Sequence, residues 1–110
     1  MVEIQLFGLP KISLNKWYAG QHWSKRVAIK NTYKKVIKSQ YKNTFEDGKY
    51  LVSYEFTFIK NPLDASNCVA MIKIIEDILF VNDKWDLIKI GGIESKKGKE
   101  EKVKIKIEKL

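Results

Sequence analysis

Residues 49–60, KYLVSYEFTFIK, alternate with a period of two, and this alternation decides the fold. Tyr50, Val52, Tyr54, Phe56 and Phe58 fall on one face, which predicts the strongest β-strand of the chain, central in its sheet or packed under helices. Asn61-Pro62-Leu63-Asp64 breaks it. Upstream, NTFEDG at 43–48 reads as a turn. Before that turn, Ile29, Tyr33, Val36, Ile37 and Tyr41 recur at i, i+4, i+7, i+8 and i+12, one face of a helix from an N-cap at Ser24 to about Tyr41. Residues 2–8 alternate as a first strand stopped by Gly8 and Pro10, and 11–23 form a polar, aromatic loop. Downstream, Cys68, Met71, Ile72, Ile75 and Leu79 stripe a second helix from about Ala65 or Ser66 to Leu79, with Asp64 or Ser66 available as its cap. The polar turn 81–84 leads to a strand around 86–90, which Gly91-Gly92 bends or ends. Lys96–Lys99 reads as a charged hairpin tip. Val103, Ile105 and Ile107 then alternate with Lys102, Lys104, Lys106 and Glu108 in a last strand with one wet face. The order β-α-β-α-β-β predicts an α+β fold, a small mixed sheet with two helices on one face, in a single domain spanning 1–110.

Composition narrows the class. The chain has 110 residues, 45% of them hydrophobic, enough for one domain with a real core. One cysteine excludes an internal disulfide, and one cysteine with one histidine argues against structural zinc. No apolar run approaches the roughly 18–20 residues that span a bilayer, and Met1-Val2-Glu3-Ile4-Gln5 lacks the features of a signal peptide. A soluble, intracellular protein without a membrane partner is expected.

The net charge is +8, and its distribution says more than its total. From Lys11 to Lys42 stand nine basic residues (Lys11, Lys16, Lys25, Arg26, Lys30, Lys34, Lys35, Lys38, Lys42) and no acid. From Asn61 to Glu94 stand six acids (Asp64, Glu76, Asp77, Asp83, Asp86, Glu94) against three lysines. A basic segment suits a polyanion. A carboxylate cluster inside a basic protein repels phosphate unless metal ions lie between, which points to metal-assisted phosphodiester chemistry. A solvated helix face with scattered acids is the plainer reading of the same charges. Other chemistries are absent: there is no Gly-rich phosphate loop, and His22, the only histidine, has no G-x-S-x-G context. Cys68 sits on an apolar stripe and reads as a small buried hydrophobe. His22 reads as a surface or phosphate-contacting residue. What remains is Asp64-Ala65-Ser66-Asn67 followed by Lys73, Glu76-Asp77 and Asn82-Asp83. Mg²⁺ takes oxygen ligands, commonly one or two carboxylates with water and substrate phosphate. Taken singly, Asp64 is equally an N-cap and Asp83 a turn residue.

The run NPLDASNCVAMIKIIEDILFVNDKWDLIKI, with IQLFGLPKISLNKWYAGQHW at the front, resembles the RusA-type Holliday-junction resolvases, a family common in phages and prophages. The likeness lies in an Asp-x-x-Asn element opening a helix, a helical lysine, an x-Asp turn before the next strand, and the Pro-containing turn and Asn-aromatic-Tyr loop after the first strand. It covers nearly the whole chain. The resemblance implies a homodimeric, Mg²⁺-dependent (or Mn²⁺-dependent) crossover junction endodeoxyribonuclease that cuts branched DNA, cytoplasmic in a bacterial cell. It carries Asp64 and Asp83 over as catalytic metal ligands, Asn67 as the motif asparagine and Lys73 as the lysine that neutralises the scissile phosphate or orients a ligand. Ser66 stands where the best-known members have a second Asp.

DNA would be held by Lys16, Lys25, Arg26, Lys30, Lys34 and Lys38, with His22 and Asn67 in the same role. Trp17, Tyr18 and Trp23 would stack on unpaired or distorted bases; for the two tryptophans core packing is the competing reading. Asp77 lies thirteen residues past Asp64, about 20 Å along a regular helix at ~1.5 Å per residue, so the two cannot share an ion in one subunit. Asp83 or Asp86 reaches Asp64 only if the turn after Leu79 folds back or a second subunit completes the site. Two alternatives stay open: a DNA-binding protein of the same fold without catalysis, and a basic domain that docks to a protein.

Overall fold

The computed structural model describes residues 1–18 and 22–110. The chain runs β1 (Val2–Phe7), α1 (Leu14–Tyr18), α2 (Trp23–Gln40), β2 (Tyr50–Phe58), a 3-10 turn (Ala65–Cys68), α3 (Val69–Leu79), β3 (Ile88–Lys97) and β4 (Lys102–Lys109). The α+β class and the expected order hold, with α1 and the 3-10 turn as short additions.

The four strands form one mixed sheet in the order β1-β4-β2-β3. β2 is central, parallel to β3 and antiparallel to β4, which in turn is antiparallel to β1. Alternation along each strand makes one face apolar, and the register aligns those positions across strands: Ile4, Ile105 and Tyr54 form one row, Leu6, Val103 and Phe56 the next. All six are buried. α3 supplies Ala70, Met71, Ile72, Ile74, Ile75 and Leu79 to this core, and α2 supplies Tyr33 and Ile37. The opposite face stays polar, with Lys96 paired to Glu55 at 2.5 Å and Lys104 to Glu3 at 3.7 Å.

Two connections differ from the sequence reading. β3 neither bends away nor ends at Gly91-Gly92. Val52 pairs with Ile90 and Ser53 with Gly92, so Gly91 is absorbed as a bulge and the strand continues to Lys97. A Cβ at Gly91 would lie 2.8 Å from Ser53 Oγ, so glycine permits this close approach. The segment after Lys97 is also no hairpin tip. β4 lies between β1 and β2, so the chain crosses the end of β2, fixed by Gly98 N–H to Phe58 O at 2.9 Å and Ile59 N–H to Glu101 Oε1 at 3.0 Å. α3 carries the chain over the sheet and makes β3 parallel to β2; β4 then takes the far side of β2, antiparallel to it, and β3 remains an edge strand.

The helix starts also shift. α2 begins two residues earlier than a Ser24 cap implies: His22 is the N-cap, and its Nδ1 accepts the Ser24 N–H at 3.2 Å. Asp64 precedes the 3-10 turn without a side-chain capping bond; its backbone carbonyl accepts the Asn67 and Cys68 N–H groups. At its other end α2 docks on the sheet edge, where the Gln40 amide both accepts from Phe7 N–H and donates to Phe7 O, each at 2.8 Å. Cys68 is fully buried, and burial raises its thiol to about 11. Among the described residues no helix is long and apolar enough to cross a membrane.

Candidate functional site

Helix α3 presents two successive acids to different surroundings. Glu76 turns toward the sheet, is 9% exposed, and its Oε2 accepts the Tyr54 hydroxyl at 2.8 Å. Burial raises the Glu76 carboxyl above its ordinary value; the Tyr54 bond opposes this, and the charges of Asp83 and Asp77 add to it. Tyr54 is held well above the usual phenol range, by burial first and by Glu76 second. Asp77 follows about 100° further round the helix and stands on the surface.

Asp83 reaches Asp77 because of how the chain leaves α3. The Phe80 N–H closes the helix on Glu76 O, and Phe80 then turns extended and pairs parallel with Phe45. Phe45 N–H donates to Leu79 O at 2.7 Å, Val81 N–H donates to Phe45 O at 3.0 Å, and the two phenyl rings stack with centroids 5.3 Å apart. The clamp directs 81–83 across the end of the helix and brings the Asp83 carboxyl into hydrogen-bond contact with Asp77. Burial, then this contact and the charge of Asp83, raise the Asp77 carboxyl from its ordinary value, against the opposing charges of Lys30 and Lys73. Two ionised carboxylates in contact repel each other, and a cation placed between them relieves that repulsion. Lys30 comes from α2, and Lys73 stands one turn before Asp77 on α3.

The remaining sequence-derived residues divide sharply. Asp64 is not brought to Asp83 within the chain: the 3-10 turn and α3 separate it from Asp77 by roughly 20 Å. Asn67 lies half-buried in the 3-10 turn, at that same far end. Trp17 is corrected: it is 6% exposed, a core residue, with the Arg26 guanidinium 5.3 Å from its ring centre. Arg26 is corrected with it, because its Nη2 donates to Trp17 O at 2.5 Å and ties α1 to α2 rather than facing solvent for phosphate. Lys38 donates to Thr44 Oγ1 at 3.1 Å, so it braces the 43–44 turn. His22 is exposed but acts as the cap described above. Lys16 and Lys25 are exposed, Lys25 on a different face of α2 from Lys30. Trp23 is 75% exposed and shares one stripe with Val27, Lys30 and Lys34, at i, i+4, i+7 and i+11. Tyr18 closes α1, and its side chain, like residues 19–21, lies outside the described residues.

Two residues escape the sequence reading. Spacing along the helix sets Asp77 against Asp64 alone; its contact with Asp83 runs across the helix end. Trp85 is 91% exposed at a turn that Leu87 N–H closes on Lys84 O at 2.9 Å. The available signal is a lone aromatic in the polar run NDKWD. The donor chemistry of Asp77 and Asp83, two carboxylates and no nitrogen or sulfur, fits one Mg²⁺ or Mn²⁺. Among the described residues no group of three or more His, Cys, Asp or Glu gathers to hold a metal. Compared with protein-family models and with curated proteins, the chain matches none.

Proposed function

We propose that this chain is a RusA-type endonuclease that cuts branched DNA with the help of a divalent cation and acts as a homodimer. The observation that supports this reading is the contact of the Asp77 and Asp83 carboxyls beside Lys30 and Lys73, on the rim of the basic helix α2. Asp77 and Asp83 would hold the ion, and when bound it supplies charge neutralisation at a phosphodiester. Lys73 and Lys30 would hold the phosphate on either side, and the stripe Trp23, Lys30, Lys34 would carry the flanking DNA. Asp64 joins the site only if a second subunit brings it there, since two symmetric cuts require two sites related by a two-fold axis.

The test is cleavage of a synthetic four-way junction, with duplex and single strand as controls, in Mg²⁺, Mn²⁺ and EDTA. Asp77→Asn and Asp83→Asn should each abolish metal-dependent cleavage and leave junction binding intact or slightly tighter, because a charge that repels phosphate is removed. Asp64→Asn should do the same only if the second subunit completes the site. Sedimentation should give a dimer with DNA. DNA binding without cleavage is the second reading, favoured by the small number of acids gathered. It takes over if the wild type binds junction DNA and is inert with either metal.

A further inference from the structure

We propose that Trp85 is a stacking platform for an uncovered base face at a DNA branch point, and that it confers on this surface its preference for branched over plain duplex DNA. The inference rests on the nucleic-acid reading above but not on cleavage. Trp85 is 91% exposed, whereas an indole is among the most costly side chains to leave in water. At that exposure it contributes almost nothing to packing among the described residues, so the fold does not account for it. Nor is it carried on a slack loop. Asn82 Oδ1 accepts the Lys84 N–H at 3.2 Å, Lys84 O accepts from Leu87 and Ile88, and Leu87 O accepts the Tyr50 N–H of the central strand at 2.8 Å. The ring therefore stands on a turn tied by hydrogen bonds to the central strand, two residues beyond Asp83.

Charge selects the partner. An apolar protein surface would call for an apolar ring of neighbours, yet Trp85 sits between Lys84 and Asp86, with Val81 and Ile90 as the exposed aliphatics within five residues of it. Lys30 and Lys73 act on Asp77 at the Asp77–Asp83 pair, Lys34 follows Lys30 one turn further along α2, and all three are exposed. A polyanion with flat, accessible π-faces matches an exposed indole two residues from a carboxylate pair that Lys30 and Lys73 flank. In a continuous duplex every base face is covered by its neighbours; at a branch the stack is interrupted and a face is free. A base stacked on Trp85 would place its own backbone beside Asp83.

The test uses the full chain in EDTA, so that only binding is read. The probes are a four-way junction with 2-aminopurine at the branch and a duplex of matched length. Trp85→Ala should weaken junction binding about tenfold or more, leave duplex binding unchanged and abolish the quenching of 2-aminopurine seen with wild type. Trp85→Phe should retain most of both. Because the ring is exposed, the thermal midpoint should not move. Junction affinity unchanged in Trp85→Ala, or junction and duplex affinity falling together, would overturn the assignment while leaving the nuclease reading intact. Wild type that binds neither DNA would overturn both. Loss of branch preference in Trp85→Ala by a protein that never cleaves would support this platform and defeat only the nuclease.

Discussion

Asp77 and Asp83 form a like-charge contact whose repulsion, added to burial, disfavours the ionised form of Asp77. Because the folded-state pKa of Asp77 is raised, its contribution favours the fold at acid pH, below the ordinary carboxylate pKa, and is lost as pH rises through the raised value. Asp83→Asn should therefore stabilise the metal-free protein at neutral pH by about 0.5–1 kcal/mol, the size of a solvent-screened charge pair, and do little near pH 3. Added Mg²⁺ should raise the thermal midpoint of wild type and not of Asp83→Asn. A pH series of melts with and without the ion checks both. Tyr54→Phe tests the neighbouring acid. It leaves the Glu76 carboxylate buried without its donor, at about 1–3 kcal/mol in urea unfolding. Since the Tyr54 bond favours the ionised Glu76, the loss should be larger at neutral than at acid pH.

At the scale of elements, the crossing from β3 to β4 depends on Gly98. A Cβ there would lie 2.4 Å from Thr57 Cγ2, and Thr57 is buried, so neither backbone nor side chain yields easily. Gly98→Ala should cost about 1–3 kcal/mol in overpacking, and Thr57→Ser, which removes that methyl, should recover most of it. Gly92→Ala is the control, because nothing lies within 4 Å of its added carbon. Chemical denaturation of Gly98→Ala, of Gly98→Ala with Thr57→Ser, and of Gly92→Ala measures the difference. Most of the elements themselves were legible. The alternation in 50–58, the apolar stripe from Cys68 to Leu79 and the wet face of β4 are local patterns, and local patterns follow from the chain's own periodicity. The capping at His22 was not legible, because an imidazole ring serving as an N-cap is chosen by the geometry of the turn before it.

For the whole molecule, charge counted along the chain overstates what faces a partner. Lys11 donates to Lys60 O and Asn61 O, Arg26 to Trp17 O and Lys38 to Thr44 Oγ1, so these cations are engaged in holding loops and helices. Lys30 and Lys34 lie on the open stripe. Replacing both with Gln should weaken DNA binding and flatten the log–log salt dependence by roughly 0.9 for each phosphate that is no longer neutralised. Lys38→Gln should chiefly lower stability. Titrations between about 50 and 200 mM salt, a span wide enough to resolve such slopes, separate the two outcomes.

By itself the amino-acid sequence determined the α+β class, the central strand, the two main helices and the separation of a basic front from an acidic middle. Each of these depends on residue type at short spacing, where sterics and the burial of one face leave little choice. Only the tertiary structure decided that β4 enters between β1 and β2, that Trp17 is core and Trp85 is bare, and that Asp83 meets Asp77 rather than Asp64 within one chain. Those outcomes rest on contacts between distant segments: α3 laid across the sheet, Phe45 clamped on Phe80, and Arg26 closing over Trp17. No local period encodes them, because the partner in each case is selected by packing after the elements have formed.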